Sequence, residues 1–195
     1  MRMRHNIGTA VLITIVTTVL LGLVYPLVVT ALAQMLFHDR ANGQLIERRG
    51  HPIGSAIIGQ GFSSPRYFHS RPSAAGSGYD AANSGGTNFG PTNKKLIDSV
   101  TTAVAAARKK NPGTPVPIDL VTTSASGFDP DISPDAAMFQ VPRVARARGI
   151  GEAELRAFVR ERVEGRDLGF LGEPRVNVLL LNLAIDDRWP EADDK

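Results

Sequence analysis

Cysteine is absent from all 195 residues, which excludes disulfides, thiol catalysis and thiolate-ligated metals. Charge is absent over one long stretch: from Ile7 to Leu36 there is no Asp, Glu, Lys, Arg or His. A bilayer core about 30 Å thick is crossed by roughly 20 apolar residues in a helix, so this run is long enough to span with some tilt. Acidic residues are missing before it, where Arg2, Arg4 and His5 stand, whereas His38, Asp39 and Arg40 after it nearly cancel. Positive residues are retained on the cytoplasmic side, so residues 1–6 are expected inside, 7–37 in the membrane and 38–195 outside. Ala31-Leu32-Ala33 resembles a signal-cleavage site, but a signal's apolar region runs about 7–15 residues, and the length favours an anchor.

The roughly 155 residues beyond the span suit one domain with a real core. The sequence pI of about 9.5 overstates its basicity. Arg2 and Arg4 precede the span, and the exported part carries twenty basic against nineteen acidic residues. That balance gives no nucleic-acid footprint.

Leu45-Ile46 and Ile57-Ile58, flanking the turn-rich Arg49-Gly50-His51-Pro52, predict a strand pair. Residues 59–93 are crowded with Gly, Ser, Pro and Asn, yet carry Phe62, Tyr67, Phe68, Tyr79 and Phe89, as a packed loop would. A helix capped by Thr92 or Asn93 presents Leu96, Val100, Ala103, Val104 and Ala107 on one face and stops at Pro112-Gly113. Pro115 and Pro117 predict an extended Asp119–Thr122. Ser133-Pro134 opens a second helix, kinked at Pro142 and ending at Gly149. A third helix covers Glu152–Glu164, and Arg175–Ile185, apolar apart from Asn177 and Asn182, reads as a central strand. The fold class expected is α/β or α+β: a small sheet and about three helices, tethered by one transmembrane helix.

Catalytic patterns are wanting. Gly90-Pro91-Thr92-Asn93-Lys94 lacks phosphate-loop spacing, and no G-x-S-x-G elbow surrounds any serine. The four histidines are not at metal-ligand spacing, and Asp129, Asp131 and Asp135 lack the calcium-loop order, so neither a catalytic residue nor a metal site is assigned. Arg143, Arg146 and Arg148 form a basic helix face, either solvated or available to a partner or anionic lipid.

Several ordered motifs say more: Gly54–Gln60, Tyr67–Ser73, Ser84–Asn93, Pro115–Thr122, Ser126–Pro130 with Ile132–Pro134, Gln140–Ala145 and Val176-Asn177-Val178. With the single span, they resemble the family of C subunits of the bacterial Kdp potassium-transporting P-type ATPase. Thr87, Phe89, Ala125, Phe128 and Asp131 depart from the Ser, Leu, Gly, Leu and His usual there. The resemblance implies a non-catalytic subunit of an inner-membrane potassium uptake complex, with no covalent cofactor. Its partners would be a channel-like A subunit, an ATP-hydrolysing B subunit, a small F subunit and membrane lipid, with potassium as the transported ion. It further implies a role in assembly and in raising the ATP affinity of the pump subunit. The nucleotide-contacting glutamine maps to Gln140, and Ser84-Gly85-Gly86 is similar to an ABC-type signature. Gly8 and Gly22 in the span, and Arg71 and Arg143 outside it, are the docking candidates. ATP is cytoplasmic, however, while the flanking charges put Gln140 outside. The alternative class is a membrane-anchored extracytoplasmic enzyme or binding module, which the long Ser/Gly/Asn-rich loops would suit.

Overall fold

The computed structural model describes residues 2–190. By its internal contacts the chain divides into two units, residues 1–45 and 46–195.

The first unit is dominated by one long apolar helix. Arg2–Val19 (α1) passes through a π-helical turn, Leu20–Val24, into Tyr25–Leu36 (α2). The π turn has a local cause. Pro26 has no N–H to offer the Gly22 carbonyl, and its ring crowds that carbonyl, so the backbone widens for one turn. Hydroxyls along α1 are turned inward on their own helix: Thr14 donates to the Ala10 carbonyl and Thr17 to that of Ile13, each at 2.8 Å. Thr14 and Thr17 thus bring no unsatisfied donor to the apolar surface of the helix. A single turn, His38–Ala41 (α3), follows. At 35 residues the apolar helix is long enough to cross a membrane.

The chain passes into the second unit within a hairpin of Leu45–Arg48 (β1) and His51–Ser55 (β2). Arg49 and Gly50 both take positive φ, 55° and 76°, as a tight two-residue hairpin turn demands. The expected partner Ile57-Ile58 lies beyond the second strand. After the long loop comes Lys94–Lys110 (α4), capped by the Asn93 side chain, which accepts from the Lys95 amide.

Asp119–Thr122 is not extended. Ile118–Leu120 forms a 3-10 turn, held because the Ile118 carbonyl accepts from the amides of Val121 and Thr122. The Asp119 carboxylate accepts from the Ser133 amide at 2.7 Å and so pins this turn to the next helix. That helix, Pro134–Arg148 (α5), follows a two-residue strand, Asp131–Ile132 (β3), and runs on through Pro142. It stops at Gly149, φ 68°, where the Gly149 and Ile150 amides return to the Arg146 and Ala145 carbonyls. Glu152–Arg160 (α6) is shorter than expected, because the chain leaves the helix to pair Glu164 with Arg175.

The larger correction concerns Arg175–Ile185. Only Val176-Asn177 (β4) is strand, pairing antiparallel with β3; Val178–Arg188 (α7) is a helix. A short apolar run buried on all sides has no decisive period. Here the residue types decide. Leucine dominates the run and favours helix over strand. The Asn177 side chain also accepts from the Leu180 amide at 3.1 Å, capping the helix. The outcome is a mixed α and β domain with two separate two-stranded sheets among the described residues. The core joins α5, α6 and α7 through Val141, Val144, Leu155, Val159, Leu181 and Ile185, all at most 1% exposed.

Candidate functional site

Residues 65–70, which leave a turn closed by the Tyr67 amide on the Ser64 carbonyl, lie against α5 and α7 and organise the site. Their backbone groups need partners once buried, and side-chain amides supply them. Asn182 on α7 accepts from the Phe68 amide at 2.8 Å and donates to the Phe68 carbonyl at 2.9 Å. Gln140 on α5 does the same one residue later, accepting from the His69 amide at 2.8 Å and donating to its carbonyl at 2.9 Å. Two amides on two helices thus replace the ladder a neighbouring strand would give. Phe68 is consequently driven fully into the core.

Arginines of α5 complete the clamp. Arg143 donates to the Pro65 and Tyr67 carbonyls and to Gln140 Oε1, at 2.7, 3.0 and 2.6 Å. Burial lowers its guanidinium to about 10, still charged at neutral pH. Arg148, whose side chain is 2% exposed, donates to the Arg66 carbonyl and pairs with Asp186 at 2.7 Å while lying over the Tyr67 ring. The Tyr67 hydroxyl donates to the same carboxylate, and burial together with that acceptor pushes its pKa up. Only Arg146 of the three basic residues is solvated. The basic face expected from sequence is therefore mostly an internal clamp.

Beside the clamp lies a cleft of about 360 Å³. Ala103, Ala106 and Ala107 of α4 form one wall, Phe139, Gln140 and Arg143 the other, with Phe62, His69 and Lys110 around it. The space exists because α4 presents alanines rather than larger side chains there, and no residue of α4 is fully buried. Asn111 donates to the Phe139 carbonyl at 3.0 Å and ties the end of α4 to α5. Burial lowers the His69 pKa, its ring meeting the Ser64 carbonyl at 3.0 Å.

Gln140 and Arg143 are thus brought together, and the other sequence candidates lie elsewhere. Ser84, Gly85 and Gly86 do not line the cleft. They pack on the 124–127 loop: Ser84 Oγ and the Gly85 amide both donate to the Ser126 carbonyl at 3.0 Å. A Cβ on Gly86 would come within 2.9 Å of the Ala125 carbonyl, so glycine is required for that approach. Arg71 donates to Asp129 at 2.9 Å and to the Thr123 carbonyl, bracketing the 124–127 loop from its two ends. Gly8 has no heavy atom near a would-be Cβ, and Gly22 only a Thr18 methyl at 4.0 Å. Sequence reasoning missed Asn182 as a clamp. Its signal was a polar side chain in an otherwise apolar run, which a buried segment keeps only when that group has partners.

The family model for the K+-transporting ATPase, c chain, matches residues 7–187, from the apolar helix through nearly all of α7. The chain belongs to the KdpC family. A potassium-transporting ATPase KdpC subunit from Koribacter versatilis is 62% identical over 188 residues, covering 96% of this chain and 97% of that protein. A KdpC subunit from Rhodopseudomonas palustris is 53% identical over 196 residues, covering 94% and 98%. One from Caulobacter vibrioides is 57% identical over 174 residues, covering 89% and 88%. The KdpC match thus takes in both the apolar helix and the clamped domain.

Proposed function

We propose that this chain is a non-catalytic, single-span subunit of an ATP-driven potassium uptake complex. Its helix docks on a channel-like A subunit, its N-terminus is cytoplasmic, and its domain lies outside against the outer potassium entrance. There it stabilises the assembly with the ATP-hydrolysing B subunit and the small F subunit. The observation that carries this reading is that the family match runs without interruption from the helix to α7, so the two units belong together in one kind of subunit. The polar side chains of the site support it: Gln140, Arg143, Arg148 and Asn182 are spent on holding the chain's own backbone, as suits a rigid docking body. The test is purification from native membranes by a tag on this chain. Two much larger membrane proteins and potassium-stimulated ATPase activity should come with it. A chain that elutes alone from fully solubilised native membranes contradicts the reading.

A second reading, ATP contact that raises nucleotide affinity, is favoured by one observation. The cleft combines Phe62 and Phe139 with the cations Lys110 and Arg143, a combination that suits a base and its phosphates. Gln140 would have to give up existing bonds to join, and the Ser84–Gly86 stretch would have to act from outside the cleft. ATP titration of the purified complex, comparing wild type with Lys110→Ala and Gln140→Ala, decides it. Weaker nucleotide binding in both supports the reading, and equal binding removes it.

A further inference from the structure

The connection between α6 and β4 is a small hairpin with its apolar side chains turned outward. At its base the Glu164 and Arg175 backbones exchange hydrogen bonds at 2.8 and 3.0 Å, and nearer the tip Asp167 and Leu171 do so at 2.9 Å both ways. The tip is therefore built, rather than slack chain. Yet Leu168 is 83% exposed, Phe170 69% and Leu171 48%. Exposed apolar groups that close together mark interaction sites.

The backbone adds a second observation. Leu168 sits at φ 53°, followed by Gly169 at 83°. Glycine or asparagine fills such a position with less strain, so leucine there trades backbone comfort for its side chain. The isobutyl group has no core to fill.

We infer, resting on the reading above, that Leu168, Phe170 and Leu171 form a finger that inserts into an apolar pocket on the outer face of another protein subunit of the complex.

Charge chooses the kind of partner. Residues 161–175 hold three arginines against four carboxylates. Each arginine is already engaged: Arg166 with Glu173 at 2.7 Å, Arg175 with Glu164 at 3.1 Å, and Arg162 beside Glu161 and over the Phe158 ring. An anionic lipid surface attracts uncompensated cations, and this finger offers none while carrying an excess of carboxylate. A protein pocket needs the opposite: aromatic and aliphatic anchors ringed by groups that satisfy one another. Size excludes self-association as the main use. Three side chains cover well under the roughly 1,200 Å² of a stable interface, so this contact works within an assembly already held by another element. A membrane span supplies that hold by keeping the two proteins at high effective concentration.

The test uses the full chain in its complex, with a photo-reactive amino acid at position 168 or 170. The expected adduct is with another protein subunit. Retention of Leu168→Asp/Phe170→Asp through detergent purification should fall about tenfold or more, equally at low and high salt. Leu168→Gly/Phe170→Ala guards against misfolding: glycine relaxes position 168, so its thermal midpoint should hold while retention still falls. Adducts to lipid, adducts to a second copy, no adduct, or unchanged retention of the Gly/Ala variant each overturn the finger. If the wild-type chain itself brings no partners, the subunit reading falls and the finger with it. If it brings partners but the tip does not touch them, only the finger falls.

Discussion

Two amide side chains, Gln140 and Asn182, hold the backbone of His69 and Phe68 against α5 and α7. Each satisfies both backbone groups of one residue in the 65–70 segment, so replacing either by leucine strands an N–H and a C=O in the interior. Asn182→Leu should cost about 2–4 kcal/mol, two unsatisfied groups at about 1–2 kcal/mol each, read as a lower thermal midpoint. His69 gives a pH dependence. Burial holds its folded pKa below the free value, so the unfolded chain binds more protons through that interval. Stability is therefore full above about pH 6.5 and declines as pH falls below it toward the folded pKa. Thermal midpoints at pH 7.5 and 5.5 should differ in that sense, and His69→Gln should reduce the difference. Asn182 stood out locally as a polar group in an apolar run, but the partners of these residues were not legible there. The partners of Gln140 and Asn182 lie 71 and 114 residues away in sequence, and a residue type alone does not say which distant backbone it will meet.

Among the elements, the helices with explicit punctuation were legible. Asn93 before α4, and Ser133-Pro134 and Gly149 around α5, are local chemistry that survives any tertiary arrangement. Arg175–Ile185 was misread because burial on every face erases the period, leaving leucine content and the Asn177 cap as the deciding terms. Asn177 also donates to the Ala56 carbonyl at 2.8 Å, joining α7 to the β2 end of the long loop. Asn177→Ala should therefore cost about 1–3 kcal/mol, a cap plus one buried acceptor, measured by denaturant midpoint. Asp119 shows the same limit. Prolines predicted an extended chain, and a carboxylate reaching the Ser133 amide turned it into a 3-10 turn.

At the scale of the whole molecule, the apolar run was the clearest signal, because thirty uncharged residues have few other uses. The π turn within it was not foreseen, although Pro26 four residues beyond Gly22 is its local cause. Gly22 gives a clean test of docking by the span. Among the described residues a Cβ there meets only one methyl group, and Gly22 lies in the apolar helix rather than in the domain, so Gly22→Leu should leave the domain's thermal midpoint unchanged. If a partner helix packs there, the same variant should reduce co-purification about tenfold by forcing the helices apart. Unchanged co-purification would remove Gly22 from the interface.

The direction of the span matters most, since it places the whole domain on one side of the membrane. Ser77 is exposed, and the chain has no native cysteine, so Ser77→Cys gives a single reporter. Labelling of intact cells with a membrane-impermeant maleimide should modify it fully, with no gain on permeabilisation. A cysteine that reacts only after the membrane is opened would put the domain inside and contradict the outward-docking reading.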